Sequence, residues 1–132
     1  MSEKVLIIDD EKDFLDIIAE RIRAHGMNVC TASAVEDALN LVEEKSFDVV
    51  IMDFMMPGMN GFQTIKAIKG KKPGVQIILL TGYVPDDQRS EARALGVLDV
   101  IEKPPDLKDL IGKIRNIKTL KRAQRRKGSR KK

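Results

Sequence analysis

The stretch 48-DVVIMDFMMPGMNGF-62 runs through four consecutive apolar residues, Val49 to Met52, and then sets a carboxylate, Asp53, at their end. A strand with one wet face alternates apolar and polar residues, whereas an unbroken apolar run of strand length belongs to a strand covered on both faces. Strands covered on both faces are the mark of a parallel sheet with helices above and below it. A charge inside such a strand is costly, so Asp53 has to lie where the chain leaves the core. The Pro57-Gly58 pair then marks a loop, and Asn60-Gly61 a turn into the next element.

Outward from this run the same alternation repeats. Short β-branched segments recur at 5–9 (VLIID), 28–32 (NVCTA), 75–81 (VQIILLT) and 97–102 (VLDVIE). Helical spacing fills the intervals. Phe14, Ile17, Ile18 and Ile22 share one face of a first helix, ended by Gly26. Ala34, Ala38, Leu41 and Val42 mark a second, with Ser33 as its expected N-cap. Phe62, Ile65 and Ile68 mark a third, closed by Gly70. The segment 85–95 is mostly charged and offers only Ala92 and Leu95 as an apolar face. Leu107, Leu110, Ile111, Ile114 and Ile117 form the most regular pattern of the five. Five βα units predict a parallel sheet with DVVIMD and VQIILLT central, and the more polar NVCTA at an edge.

Composition agrees with one globular domain: 132 residues, 42% apolar and 33% charged. No apolar run approaches the roughly 18 residues that span a bilayer. The opening MSEKVLII passes straight into Asp-Asp-Glu, unlike a signal peptide, and the single cysteine, Cys30, excludes an internal disulfide. A cytoplasmic protein is expected. The net charge of +4 is unevenly spread, because residues 118–132 carry nine Lys/Arg and no acid, leaving 15 basic and 20 acidic residues before them. A domain over 1–120 is therefore expected to carry a basic tail, 121–132, that is disordered or a frayed helical extension. Such a run is either simply solvated or makes weak, salt-sensitive contact with nucleic acid or another polyanion. It has no interleaved aromatic for stacking on bases.

Ligands of open parallel sheets bind at the carboxyl ends of the strands. Those ends read Asp9-Asp10 (with Glu11 next), Asp53, Thr81, and Glu102-Lys103-Pro104. Clustered carboxylates repel one another unless a cation lies among them, and an all-oxygen set suits a hard ion such as Mg2+. Lysine supplies a point cation, and a threonine hydroxyl can donate to a phosphoryl oxygen. Together they suit stabilising a phosphoryl group on an oxygen nucleophile. Taken alone, Asp53 would be a turn residue or a cap, Asp10 a cap of the first helix, Thr81 a turn hydroxyl and Lys103 a solvated loop lysine. Their shared edge favours the chemical reading. Met55, Met56 and Met59 read as gap-fillers, His25 as a solvated residue and Cys30 as a small buried hydrophobe.

The set IIDDE, IMDFMMPGMNG, LLTG and IEKP, in this order over about residues 3–120, closely resembles the receiver domain of two-component response regulators, including the single-domain chemotaxis regulators. The resemblance implies a flavodoxin-like α/β fold with strand order 2-1-3-4-5. It implies Asp53 as phosphoacceptor, Asp9 and Asp10 as the acidic pair that holds Mg2+ with Asp53 and the backbone carbonyl of Met55, Thr81 as the switch hydroxyl and Lys103 as the phosphoryl-contacting lysine. The implied partners are a histidine kinase or histidine phosphotransfer protein, and a downstream target on the face of helix 4, strand 5 and helix 5. The implied protein is no enzyme beyond its own phosphorylation and dephosphorylation, and too few residues follow helix 5 for an output domain. Met55 and Tyr83 flank the site and are expected to tune the phosphoryl lifetime. Two positions depart from the family pattern. Val100 stands where a Tyr or Phe usually precedes the lysine by three, and Pro105 where Phe often follows. The pattern leaves the Lys103-Pro104 isomer open. Two other classes compete: an Mg2+-dependent hydrolase with an aspartyl nucleophile, which usually shows Asp-x-Asp on its first strand, and an adaptor working through the basic tail.

Overall fold

The computed structural model describes residues 2–58 and 60–117. The predicted basic tail, 121–132, and the boundary at 120 therefore lie outside the described residues. The elements are β1 (Lys4–Ile8), α1 (Lys12–Arg23), β2 (Asn28–Ala32), α2 (Val35–Glu44), β3 (Val49–Met52), α3 (Gly61–Lys71), β4 (Gln76–Thr81), α4 (Asp86–Ala94) and β5 (Asp99–Glu102). A fifth helix, α5, occupies residues 107–117. All strand pairs are parallel and the order is β2-β1-β3-β4-β5, a flavodoxin-like sheet with β3 in the middle and β2 at an edge.

The apolar runs divide by parity. Leu6, Ile8, Val50, Met52, Ile77 and Leu79 face α2, α3 and α4 through Ala38, Val42, Ile65, Ile68 and Ala92. Their neighbours Val5, Ile7, Val49, Ile51, Ile78 and Leu80 pack against Leu15, Ile18 and Ile22 of α1 and Leu110, Ile111 and Ile114 of α5. Two cores on opposite faces explain why β3 has no polar position until Asp53. The register does the rest: Ile8 pairs with Met52, and Met52 with Leu79. The Asp53 amide still donates to the Ile8 carbonyl at 3.0 Å, so the first residues beyond β1 and β3 emerge side by side.

Local expectations failed at four places. Ile17, read on the apolar face of the first helix, is 52% exposed, and Leu15 and Ala19 are buried beside Ile18 and Ile22 instead. Ser33 does not cap α2; Ala34 holds the capping position, in extended backbone and without a side-chain bond. Gly70 does not end α3, which continues to Lys71. There the Lys69 ammonium donates to the Val75 carbonyl at 2.7 Å, and the chain turns without a glycine at the break. Cys30 is half-buried rather than buried, because the edge strand leaves its flank open to Lys45, whose Nζ lies 3.8 Å from the sulfur.

Gly61 is needed for space. The loop after Asp53 returns to α3 with Phe54 folded beneath it and edge-on to Phe62, ring centroids 4.9 Å apart. A Cβ at Gly61 would run into the Phe54 ring and sit 2.8 Å from the Phe54 carbonyl oxygen. Asn60 caps the helix by accepting from the Gln63 amide at 2.9 Å. Gly61→Ala should therefore cost about 2 kcal/mol of stability through overpacking, read as a lower urea midpoint with unchanged slope. An unchanged midpoint would mean that Phe54 can move aside freely.

Candidate functional site

The strand ends converge as the register requires. Asp9 and Asp53 are almost fully buried, at 2% and 7% exposure, and Thr81 is fully so. Asp53 Oδ1 accepts from the Thr81 hydroxyl at 2.6 Å and from the Met55 amide at 3.0 Å. Its Oδ2 lies 3.2 Å from the Lys103 ammonium. That ammonium also meets Asp9 Oδ2 at 2.7 Å and Glu11 Oε1 at 3.0 Å, and sits 4.7 Å from the centroid of the Phe14 ring. The Lys103 amide donates to the Thr81 carbonyl at 2.7 Å, which anchors the lysine's loop to β4, and the following Lys103-Pro104 bond is cis.

Burial works against the charges of Asp9 and Lys103. It pushes the Asp9 carboxyl above its ordinary value, and the hydrogen bonds from Lys103 and the Glu11 amide oppose that rise only in part. Burial would likewise lower the Lys103 pKa, but hydrogen bonds to Asp9, Glu11 and Asp53 outweigh it and hold the ammonium well above its ordinary value. Lys103 is thus a fixed cation at any physiological pH.

Asp9, Asp10 and Asp53 each offer one carboxylate oxygen, and these atoms lie within 4.8 Å of one another. Among the described residues no other group of three such ligands forms. The set contains no sulfur or imidazole, which fits a hard, oxygen-seeking divalent cation. Asp10 is exposed and does not cap α1: the capping position belongs to Glu11, which makes no side-chain cap bond. The Met55 amide folds back onto Asp53, while the side chains of Met55 and Tyr83 are exposed. Glu102 turns away from the cluster to Arg89, and His25 is exposed at the far end of α1.

Two participants were given no role in the site from the sequence. Glu11 is the third carboxylate on Lys103, and Phe14 lies under the same ammonium although its spacing reads as core. Their signal is positional: an acid directly after the Asp pair, and an aromatic one turn into the helix that follows.

A family model described as the response regulator receiver domain matches residues 5–115. The probable transcriptional regulator ycf27 of Guillardia theta is 40% identical over 115 residues, covering 87% of this chain and 45% of that protein. The transcriptional regulatory protein ZraR of Escherichia coli O157:H7 is 34% identical over 106 residues, covering 80% of this chain and 24% of its own length. The chain thus spans between a quarter and a half of these relatives. A receiver domain protein from Clostridium thermocellum superposes with TM-score 0.86 at 33% identity, covering 92% of this chain and 98% of that one. A CheY-like receiver from Methanospirillum hungatei JF-1 reaches TM-score 0.87 at 24% identity, covering 93% and 99%, which speaks to the fold alone. No helix among the described residues is long and apolar enough to cross a membrane. With the family's match running through every strand end that carries the cluster, the chain belongs to the response regulator receiver domain family.

Proposed function

We propose that Asp53 is the phosphoacceptor of this receiver and takes its phosphoryl group from a histidine kinase or histidine phosphotransfer protein. The observation that carries this reading is the division of labour on one buried carboxylate. Oδ1 is held by two donors, Thr81 Oγ1 and the Met55 amide, while Oδ2 faces the Lys103 ammonium alone among the contacts described for it. Oδ2 is therefore the oxygen free to attack. Its lone pair forms the new O–P bond as the bond from phosphorus to the donor breaks, and that bond's electron pair leaves with the donor. Lys103 follows the charge onto the phosphoryl oxygens, and the Thr81 hydroxyl turns to donate to one of them.

Asp9, Asp10 and Asp53, with the Met55 carbonyl, would hold Mg2+. Bound there, the ion would offset the negative charge brought by the phosphoryl group. The chain turns over no diffusible substrate in this reading, beyond gaining and losing its own phosphoryl group. Its output is a change of partner on the surface formed by α4, β5 and α5. An aspartyl hydrolase fits less well, because the first strand ends in Asp9-Asp10 rather than Asp-x-Asp.

Acetyl phosphate with Mg2+ tests the proposal. Intact-mass analysis should show one adduct of about 80 Da, the mass of a phosphoryl group in such transfer. Chelating the metal should reduce its yield by at least about tenfold. A chain that gains no mass under these conditions refutes the reading, and rapid turnover of a phosphate ester would favour the hydrolase instead.

A further inference from the structure

α4 is fastened to the sheet by charge more than by burial. Of its nine residues only Ala92 is buried, against four buried residues in α1. Two arginines four residues apart, hence on one face, reach from it to β5. Arg93 Nη2 meets Asp99 Oδ1 at 3.3 Å, and Asp99 Oδ2 takes Lys113 Nζ of α5 at 3.1 Å. Arg89 Nη2 meets Glu102 Oε1 at 3.0 Å.

Arg89 does more than pair. Its Nε donates to the Val84 carbonyl at 3.2 Å, and its Nη1 lies 3.5 Å from the Val100 carbonyl, at the limit of hydrogen bonding. One guanidinium therefore joins the loop that follows Thr81 to the strand that leads into Lys103. Thr81 and Lys103 both touch Asp53 directly. Val84 lies three residues after the first, and Glu102 immediately before the second. Val100 contributes only its backbone here; its side chain is buried against the core beneath α4. A shift of the backbone that carries either group toward a ligand on Asp53 changes a distance that Arg89 spans.

We propose that Arg89 is the positioning residue that couples the Asp53 pocket to α4, through a salt-labile latch on Glu102. This rests on the reading of Asp53 as phosphoacceptor. The ion pairs are partly exposed, so salt weakens them, and the guanidinium meets its three acceptors from three separate nitrogens, a spread that a single ammonium nitrogen does not offer. A two-state element biased by both ends is what coupling of this kind requires.

Amide hydrogen exchange across α4 tests the latch in the full chain, with beryllofluoride as the phosphoryl mimic and its binding followed separately by fluorine NMR. In the wild type, beryllofluoride should change α4 exchange by about threefold or more, and raising salt from about 0.05 to about 0.5 M should speed it roughly two- to fivefold. Arg89→Gln and Arg89→Lys should still bind beryllofluoride, yet lose its effect on α4 and answer salt less than the wild type. Glu102→Gln, which leaves the guanidinium and the core in place, should reduce the salt response to what the Arg93–Asp99 pair supplies and keep part of the other. An α4 that answers beryllofluoride equally in Arg89→Gln overturns the proposal, as does a wild-type α4 indifferent to salt. Beryllofluoride that never binds the wild type would instead defeat the phosphoacceptor reading, while the salt measurement would still judge the latch.

Discussion

Asp53→Asn should fold normally and take no phosphoryl group from acetyl phosphate, a loss of roughly 10³-fold or more, as expected when a nucleophile is removed. Asparagine is nearly isosteric, and its carbonyl oxygen can keep the Thr81 and Met55 donors that now hold Oδ1. What it lacks is the charged oxygen that faces Lys103 and would attack phosphorus. Stability should change little, because Lys103 keeps Asp9 and Glu11 as partners while one member of a repelling carboxylate cluster becomes neutral. Circular dichroism and intact mass report the two outcomes on one sample. An adduct of undiminished yield would place the nucleophile at another residue, Asp9 or Asp10 being the next to test. A variant that fails to fold would show that the charge of Asp53 is structural, against the geometry described.

The sequence made the sheet legible because two cores demand unbroken apolar strands, and only a few residues could stand where those strands leave the core. That is why Asp9, Asp53, Thr81 and Lys103 could be placed at one edge before any contact was known. Helix ends were harder. Ser33 is a good capping residue one position too early, and Gly70 lies in a helix whose end is fixed by Lys69 reaching back to Val75. At Gly70 the contact of Lys69 with Val75 overrode a local preference. Glu11 stood at the strand end without an assigned role and Phe14 obeyed the helical pattern around it, and only the position of the Lys103 ammonium gives each its part in the site. Arg89 is the same kind of residue, charged on a charged helix and distinguished only by the carbonyls it meets.

Lys103→Met tests how far the cluster depends on its own cation. The lysine side chain is 15% exposed and bridges Asp9 and Asp53, whose side chains are 2% and 8% exposed. Removing one partner from a buried ion cluster leaves uncompensated charge, which should cost about 3 kcal/mol at neutral pH and lower the melting temperature on the order of 10 °C. The pH dependence fixes the cause. Lys103 has a raised pKa in the folded chain, so while its carboxylate partners are ionised its stabilisation is complete below its ordinary value of 10.5 and is lost only as pH rises through the folded value. Asp9 is a carboxyl raised by burial, and without the Lys103 hydrogen bond it rises further. A raised acid favours folding while protonated, so the deficit should vanish in acid and grow as pH climbs through the folded pKa of Asp9. Magnesium should then stabilise Lys103→Met more than the wild type, because a divalent ion among Asp9, Asp10 and Asp53 would replace the missing positive charge. A loss of stability that persists unchanged into acid, and that magnesium does not relieve, would mean that Lys103 acts through its packed hydrocarbon stem and its contact with Phe14. If acid erases the loss and magnesium reduces it, the ammonium is the resident counter-charge of a pocket built to receive more negative charge than the chain itself supplies.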